Sequence, residues 1–113
     1  MEIKTRKQGE VNVVEVHGPM CLGPDTETFR DVINGLLVRG EKNILIDLSR
    51  VPMIDSSGIG ALVRSFNAVR QQAGKFKLLS PSKFVRHTLE IVRVDSVFEI
   101  YDEEQKAAAS FLF

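Results

Sequence analysis

The run Ile44-Leu45-Ile46-Asp47-Leu48 constrains the fold more than any other stretch of this 113-residue sequence. It is apolar at odd and even positions alike, so as a strand it has no face to offer water. An amphipathic helical pattern precedes it and another follows. A strand buried on both faces between helices belongs to a sheet with parallel crossover connections. The preceding helix is read from Phe29, Val32, Ile33, Leu36 and Leu37, which recur at i, i+3, i+4, i+7 and i+8. Gly23-Pro24-Asp25 opens it, with proline near its first position and acids in the first turn, and Gly40 stops it.

The remaining elements fall into place around that pair. Glu2 to Gln8 is mostly charged and reads as an edge strand. After a turn at Gly9-Glu10, the β-branched segment Val11–Val16 completes a hairpin closed by Gly18-Pro19. Downstream, Ile59, Leu62, Val63, Phe66 and Val69 form the buried stripe of a second helix that ends at Gly74. Lys75-Phe76-Lys77-Leu78-Leu79 returns as a strand. Ser80-Pro81-Ser82 then starts a third helix, with Phe84, Val85, Thr88, Leu89 and Val92 on one side. Val97-Phe98-Glu99-Ile100 is expected as a last strand, and Asp102 as the cap of a helix through the alanines at 107–109. The expected order is β-β-α-β-α-β-α-β-α: one α/β domain over residues 1–113, with a mixed sheet, right-handed crossovers and helices packed on the sheet.

Composition removes several classes of function. Lys plus Arg and Asp plus Glu number 15 each, so the formal net charge is zero and no nucleic-acid partner is expected. Cys21 is the only cysteine, which rules out an internal disulfide and a cysteine metal cluster. It reads as a small packing residue. The carboxylates are scattered and no metal or cofactor is expected. Met1 to Lys7 carries charge without an apolar block behind it, and no apolar run approaches the roughly 18 residues that span a bilayer. A cytoplasmic protein without membrane insertion is the expectation.

Met53-Ile54-Asp55-Ser56-Ser57-Gly58 places two hydroxyls and a carboxylate between the apolar strand and the second helix. Either serine suits an N-cap, its oxygen accepting an amide of the first turn. A nucleophile elbow needs Gly-x-Ser-x-Gly, which is absent, as is Gly-x4-Gly-Lys-Ser/Thr for a phosphate loop. No catalytic residue is therefore assigned, and the chain is not read as an enzyme. Covalent modification is the third reading, because a helix N-terminus tolerates negative charge.

The segment from Ile46 through Asp55-Ser56-Ser57-Gly58-Ile59-Gly60 to Leu62 resembles the signature of STAS domains, the bacterial anti-sigma factor antagonists. The likeness continues through Ala73-Gly74-Lys75 and Val85-Arg86-His87-Thr88-Leu89-Glu90 to Val97-Phe98-Glu99-Ile100-Tyr101. Its most specific part is Asp-Ser-Ser/Thr-Gly followed by Leu/Ile-Gly. The resemblance implies that Ser56 is the phosphoacceptor, that Ser57 is the second hydroxyl position and that Gly58 enters the helix. It implies a partner-switching protein that binds an anti-sigma factor serine kinase when unphosphorylated, freeing a sigma factor. Phosphorylation of Ser56 would end that complex, and a PP2C-type phosphatase would reset it. The alternative it implies is an interaction module of a stress-sensing scaffold or a lipid-transport ATPase complex. One segment departs from the family's Gly-Glu-Leu-Asp: Gly18-Pro19-Met20-Cys21-Leu22-Gly23-Pro24-Asp25 is a residue longer and lacks the acid near Cys21. Asp25 is the candidate to take over that partner-facing role.

Overall fold

In the computed structural model, which describes residues 2–21 and 23–112, the elements are β1 (Glu2–Gln8), β2 (Val11–His17), α1 (Pro24–Val38), β3 (Asn43–Arg50), α2 (Ser56–Gln71), β4 (Lys75–Leu79), α3 (Lys83–Ile91), β5 (Ile100–Tyr101) and α4 (Glu104–Ser110). The order matches the α/β expectation. Strands lie in the sheet in chain order, β1-β2-β3-β4-β5. β1 pairs antiparallel with β2, and each later neighbour pair is parallel. Each crossover thus steps the sheet in one direction, and right-handed crossovers that never reverse deliver their helices to a single face.

The core shows this division. Phe29, Ile33 and Leu36 of α1, Ile59, Leu62 and Val69 of α2, and Val85 and Leu89 of α3 all pack with Val14, Ile44, Ile46, Leu48 and Leu78 of the sheet. The opposite face carries Val11, Val13, Leu45 and Leu79, which α4 and the following turn cover through Ala107 and Phe111, with Tyr101 beside them. The apolar run in β3 therefore supplies both cores, which explains its lack of alternation. Ile44, Leu45, Ile46 and Leu48 are all fully buried.

Four local expectations are corrected. The last strand is Ile100–Tyr101 rather than 97–100: Val97 N donates to Val94 O in a turn, and Phe98 leaves the strand direction to enter the core. Asp102 does not cap α4. Its carboxylate accepts from Arg86 Nη2 at 2.8 Å, and Glu103 holds the cap position without a side-chain hydrogen bond. α3 buries Val85 and Leu89, but Phe84 and Val92 are exposed, because a nine-residue helix on the flank of the sheet buries a narrow stripe. In α2, Leu62 is fully buried whereas Val63 and Phe66 are only partly so, since α2 turns that side toward Phe76 and Phe98 at the sheet edge. Leu22, within the departing loop, lies outside the described residues.

Three helices end in the same backbone motif, and only one uses glycine for it. Gly40 (φ 82°), Ala73 (φ 60°) and Arg93 (φ 60°) are the left-handed residues after α1, α2 and α3. The next amide reaches back to the helix each time: Glu41 N to Leu36 O, Gly74 N to Val69 O and Val94 N to Leu89 O, at 2.9, 2.9 and 3.0 Å. A Cβ is disfavoured there. Ala73→Gly and Arg93→Gly are each expected to raise stability by up to about 1 kcal/mol, partly offset by unfolded-chain entropy. Urea denaturation reads this as a higher midpoint at an unchanged slope.

Arg6 ties three elements together. Its Nε donates to Glu15 Oε2 at 2.7 Å, and its two terminal nitrogens donate to the Glu104 carboxylate at 2.8 and 2.5 Å. The guanidinium hydrogen bonds hold both carboxyls below the ordinary 4.5, with His17 adding to the effect on Glu15. A lowered folded pKa gives stability that is complete above the ordinary value and lost as pH falls through the folded one. Stability should therefore decline below pH 4.5, modestly because the pairs are solvent-screened. Arg6→Gln should flatten that decline in denaturation midpoints measured across acid pH.

Candidate functional site

The Asp55-Ser56-Ser57-Gly58 motif sits where β3, after Arg50, turns into α2. Asp55, and neither serine, is the N-cap. Its backbone is extended (φ −110°, ψ −173°), and its Oδ1 accepts from Ser57 N at 2.9 Å and Gly58 N at 3.0 Å. Its carbonyl accepts the first intrahelical bond, from Ile59 N at 3.0 Å. This corrects the capping expectation for Ser56 and Ser57. Aspartate is as good a cap as serine and stands one residue earlier, so the cap signal was in the sequence but shared among three candidates. Ser56 and Ser57 become the first two residues of α2, and Ser56 is exposed. The capping function is filled without either hydroxyl.

A second segment holds this junction in place. Beyond β2 the chain continues beside the exit of β3: Gly18 N donates to Arg50 O at 3.1 Å, Met20 N to Met53 O at 3.0 Å, and Asp55 N to Met20 O at 3.2 Å. Met20 and Ile54 form a parallel bridge. The side chain of Met20 is fully buried, which fixes the carbonyl that Asp55 binds. Gly58 lies against that carbonyl: a Cβ there would collide with Met20 O and stand 2.6 Å from Ile54 Cγ1. Sequence reading recognised Gly58 as the helix entrance but not this contact, which joins residues 38 positions apart along the chain.

The Gly18–Met20 part of the departing loop thus belongs to the same junction. Cys21 follows the bridge directly and is half-buried. Asp25 is the second residue of α1, and α1 packs on α2. Met53, 47% exposed, stands immediately before the bridge, three residues ahead of Ser56. Among the described residues, no group of three or more His, Cys, Asp or Glu is placed to hold a metal, and no helix is long and apolar enough to cross a membrane.

A sheet of this order, with a hydroxyl-bearing helix entrance at the exit of its central strand, defines a STAS-type α/β domain. The STAS domain family model matches residues 2–107, and the chain belongs to that family. A Thermotoga neapolitana protein that bears the name of an anti-sigma factor antagonist is 36% identical over 76 residues, 67% of each chain. Among solved structures, an anti-sigma-factor antagonist (STAS) domain protein from Planctomyces limnophilus superposes with a TM-score of 0.83 at 24% identity, covering 98% of both chains. The phosphorylated form of the Bacillus cell fate determinant SpoIIAA gives 0.75 at 21% identity, covering 96% of this chain and 98% of that one. At these identities the two structures speak for the fold.

Proposed function

We propose that this STAS protein is an anti-sigma factor antagonist in which Ser56 is the phosphorylation switch. The observation that carries this reading is the exposed Ser56 hydroxyl at the first position of α2, relieved of capping by Asp55. Unphosphorylated, the chain binds an anti-sigma factor that is also a serine kinase and so frees a sigma factor. Transfer of a phosphoryl group to Ser56 Oγ ends the complex, and a PP2C-type phosphatase restores the hydroxyl. The chain acts in the cytoplasm as one binding domain with no turnover of its own. Asp55, Ser57 and Gly58 shape the switch, and Asp25, in the first turn of α1, joins Met53 in meeting the partner.

A Ser56/Ser57 distinction follows from the cap. The Ser57 amide is fastened to Asp55, which holds that residue against the junction, and Ser57 is less exposed than Ser56. Phosphopeptide mapping of protein from native cells should place the phosphate on Ser56 and not on Ser57. Capture experiments should recover a kinase-type anti-sigma factor on the wild type and Ser56→Ala, and lose it on Ser56→Asp. Modification confined to Ser57, or equal capture by all three forms, would overturn the assignment.

A further inference from the structure

We propose that the cleft at the uncovered edge of β4 is a binding site for a small aromatic acid, a planar ring carrying a carboxylate or phosphate. The two-residue β5 pairs only with Leu78 and Leu79, so among the described residues no strand lies beside Lys75–Lys77 on the edge away from β3. A cleft of about 500 Å³ opens there, a size in the range of roughly 300–1,000 Å³ typical of small-molecule sites. It brings together residues from both sides of the sheet: Phe66 and Arg70 of α2, Phe76 and Lys77 of β4, and Glu99 and Tyr101 around β5.

Charge and rings in this cleft point to one ligand chemistry. Apart from Lys75, whose Nζ donates to Phe111 O at 3.0 Å, the cleft sets two cations, Arg70 and Lys77, against one carboxylate, Glu99. Lys77 is 5% exposed, its Nζ donating to Ser110 O and Oγ at 3.1 and 2.9 Å and lying 4.8 Å from the Phe111 ring centre. Its nearest carboxylate, Glu99 Oε1 at 3.5 Å, belongs to an exposed side chain that also accepts from Tyr101 OH at 2.9 Å. Glu99 thus offsets one of the two cations, Lys77 and Arg70, and the cleft stays positive. Arg70 rests its guanidinium 5.5 Å from the centre of the Phe66 ring and has no carboxylate partner among the described residues. A guanidinium beside a ring has donors to give an anion and leaves room for a second ring to pack nearby. The free edge of β4 is too short for an added peptide strand, which leaves a compact molecule as the occupant. From Ser56 to Arg70 the helix rises about 21 Å, so this site is separate from the switch.

The test uses the full chain, isotope-labelled, titrated with 2-naphthoate and with phenyl phosphate. 2-Naphthalenemethanol and inorganic phosphate supply ring and anion alone. Both acids should give saturable amide shifts at Phe76, Lys77, Glu99 and Tyr101, with affinities about tenfold above either control. Saturation by one acid only would support the site and identify the anion it recognises. Arg70→Gln, a change at an exposed side chain, should weaken the acids about tenfold while leaving the spectrum otherwise intact. Absence of saturable shifts with both acids, equal affinity for the neutral alcohol, or undiminished binding by Arg70→Gln would overturn the proposal.

Discussion

Replacing Gly58 by alanine is expected to destabilise the protein by about 3 kcal/mol, although alanine is intrinsically the better helix former by about 1. The added methyl would meet the Met20 carbonyl, which is not a flexible neighbour. That carbonyl accepts from Asp55 N at 3.2 Å, and the Met20 amide is bound to Met53 O at 3.0 Å. Moving it means breaking the bridge between the β2 exit and the β3 exit, together with the cap on α2. The φ of Gly58 is not positive, so the requirement is for space and not for left-handed backbone. Gly60 is a useful control. The nearest atoms a Cβ there would meet belong to the flexible guanidinium of Arg64, at 3.1 Å, and Gly60→Ala should be neutral or stabilising. Thermal melts should separate the two by about 13 °C or more in a domain of this size. Equal melting temperatures would show that the Gly18–Met20 segment yields readily, and the switch surface would then be less firmly built than the hydrogen bonds indicate.

That contact also marks the limit of what the chain discloses before it folds. Periodicity located the helices because the stripes in α1 and α2 reflect a single covered face. It located β3 because Ile44 to Leu48 must satisfy two cores. It failed at α3, where Phe84, Val85, Thr88, Leu89 and Val92 fit a helical face that the sheet covers only in part. It failed again at 97–100, where β-branched Val97 and aromatic Phe98 look like a strand but Phe98 is needed under α2. The motif residues were legible only through their resemblance to the STAS signature, whereas the division of labour between Asp55 and Ser56 depended on which oxygen reaches the amides. The Met20 carbonyl that orders the junction is a backbone atom, and no side-chain pattern announces it.

Phosphorylation of Ser56 is expected to leave the fold and its stability nearly unchanged while lowering partner affinity by two orders of magnitude or more. A phosphoserine brings roughly −1.5 to −2 charges to the first residue of α2. The positive helix end favours such a charge by about 0.3–1 kcal/mol when exposed. In this protein the Asp55 carboxylate already holds the Ser57 and Gly58 amides, so the phosphate meets a neighbouring negative charge and a partly satisfied helix end. The two effects oppose, and the change in stability should stay within about 1 kcal/mol. Nothing comparable softens the effect on the partner. A dianion closed into a tightly packed interface loses its water and finds no donor prepared for it, at a cost of several kcal/mol, and each 1.4 or so is about tenfold in affinity. On the proposed function, the switch would work by electrostatics at a rigid surface, with no refolding in this chain. Thermal melts of both forms, paired with calorimetric titration of the anti-sigma factor, measure the two halves separately. A large fall in melting temperature would show that phosphate displaces Asp55 and unravels the α2 entrance. Unchanged affinity with an unchanged melt would remove Ser56 from the interface and favour a STAS module that docks through another face.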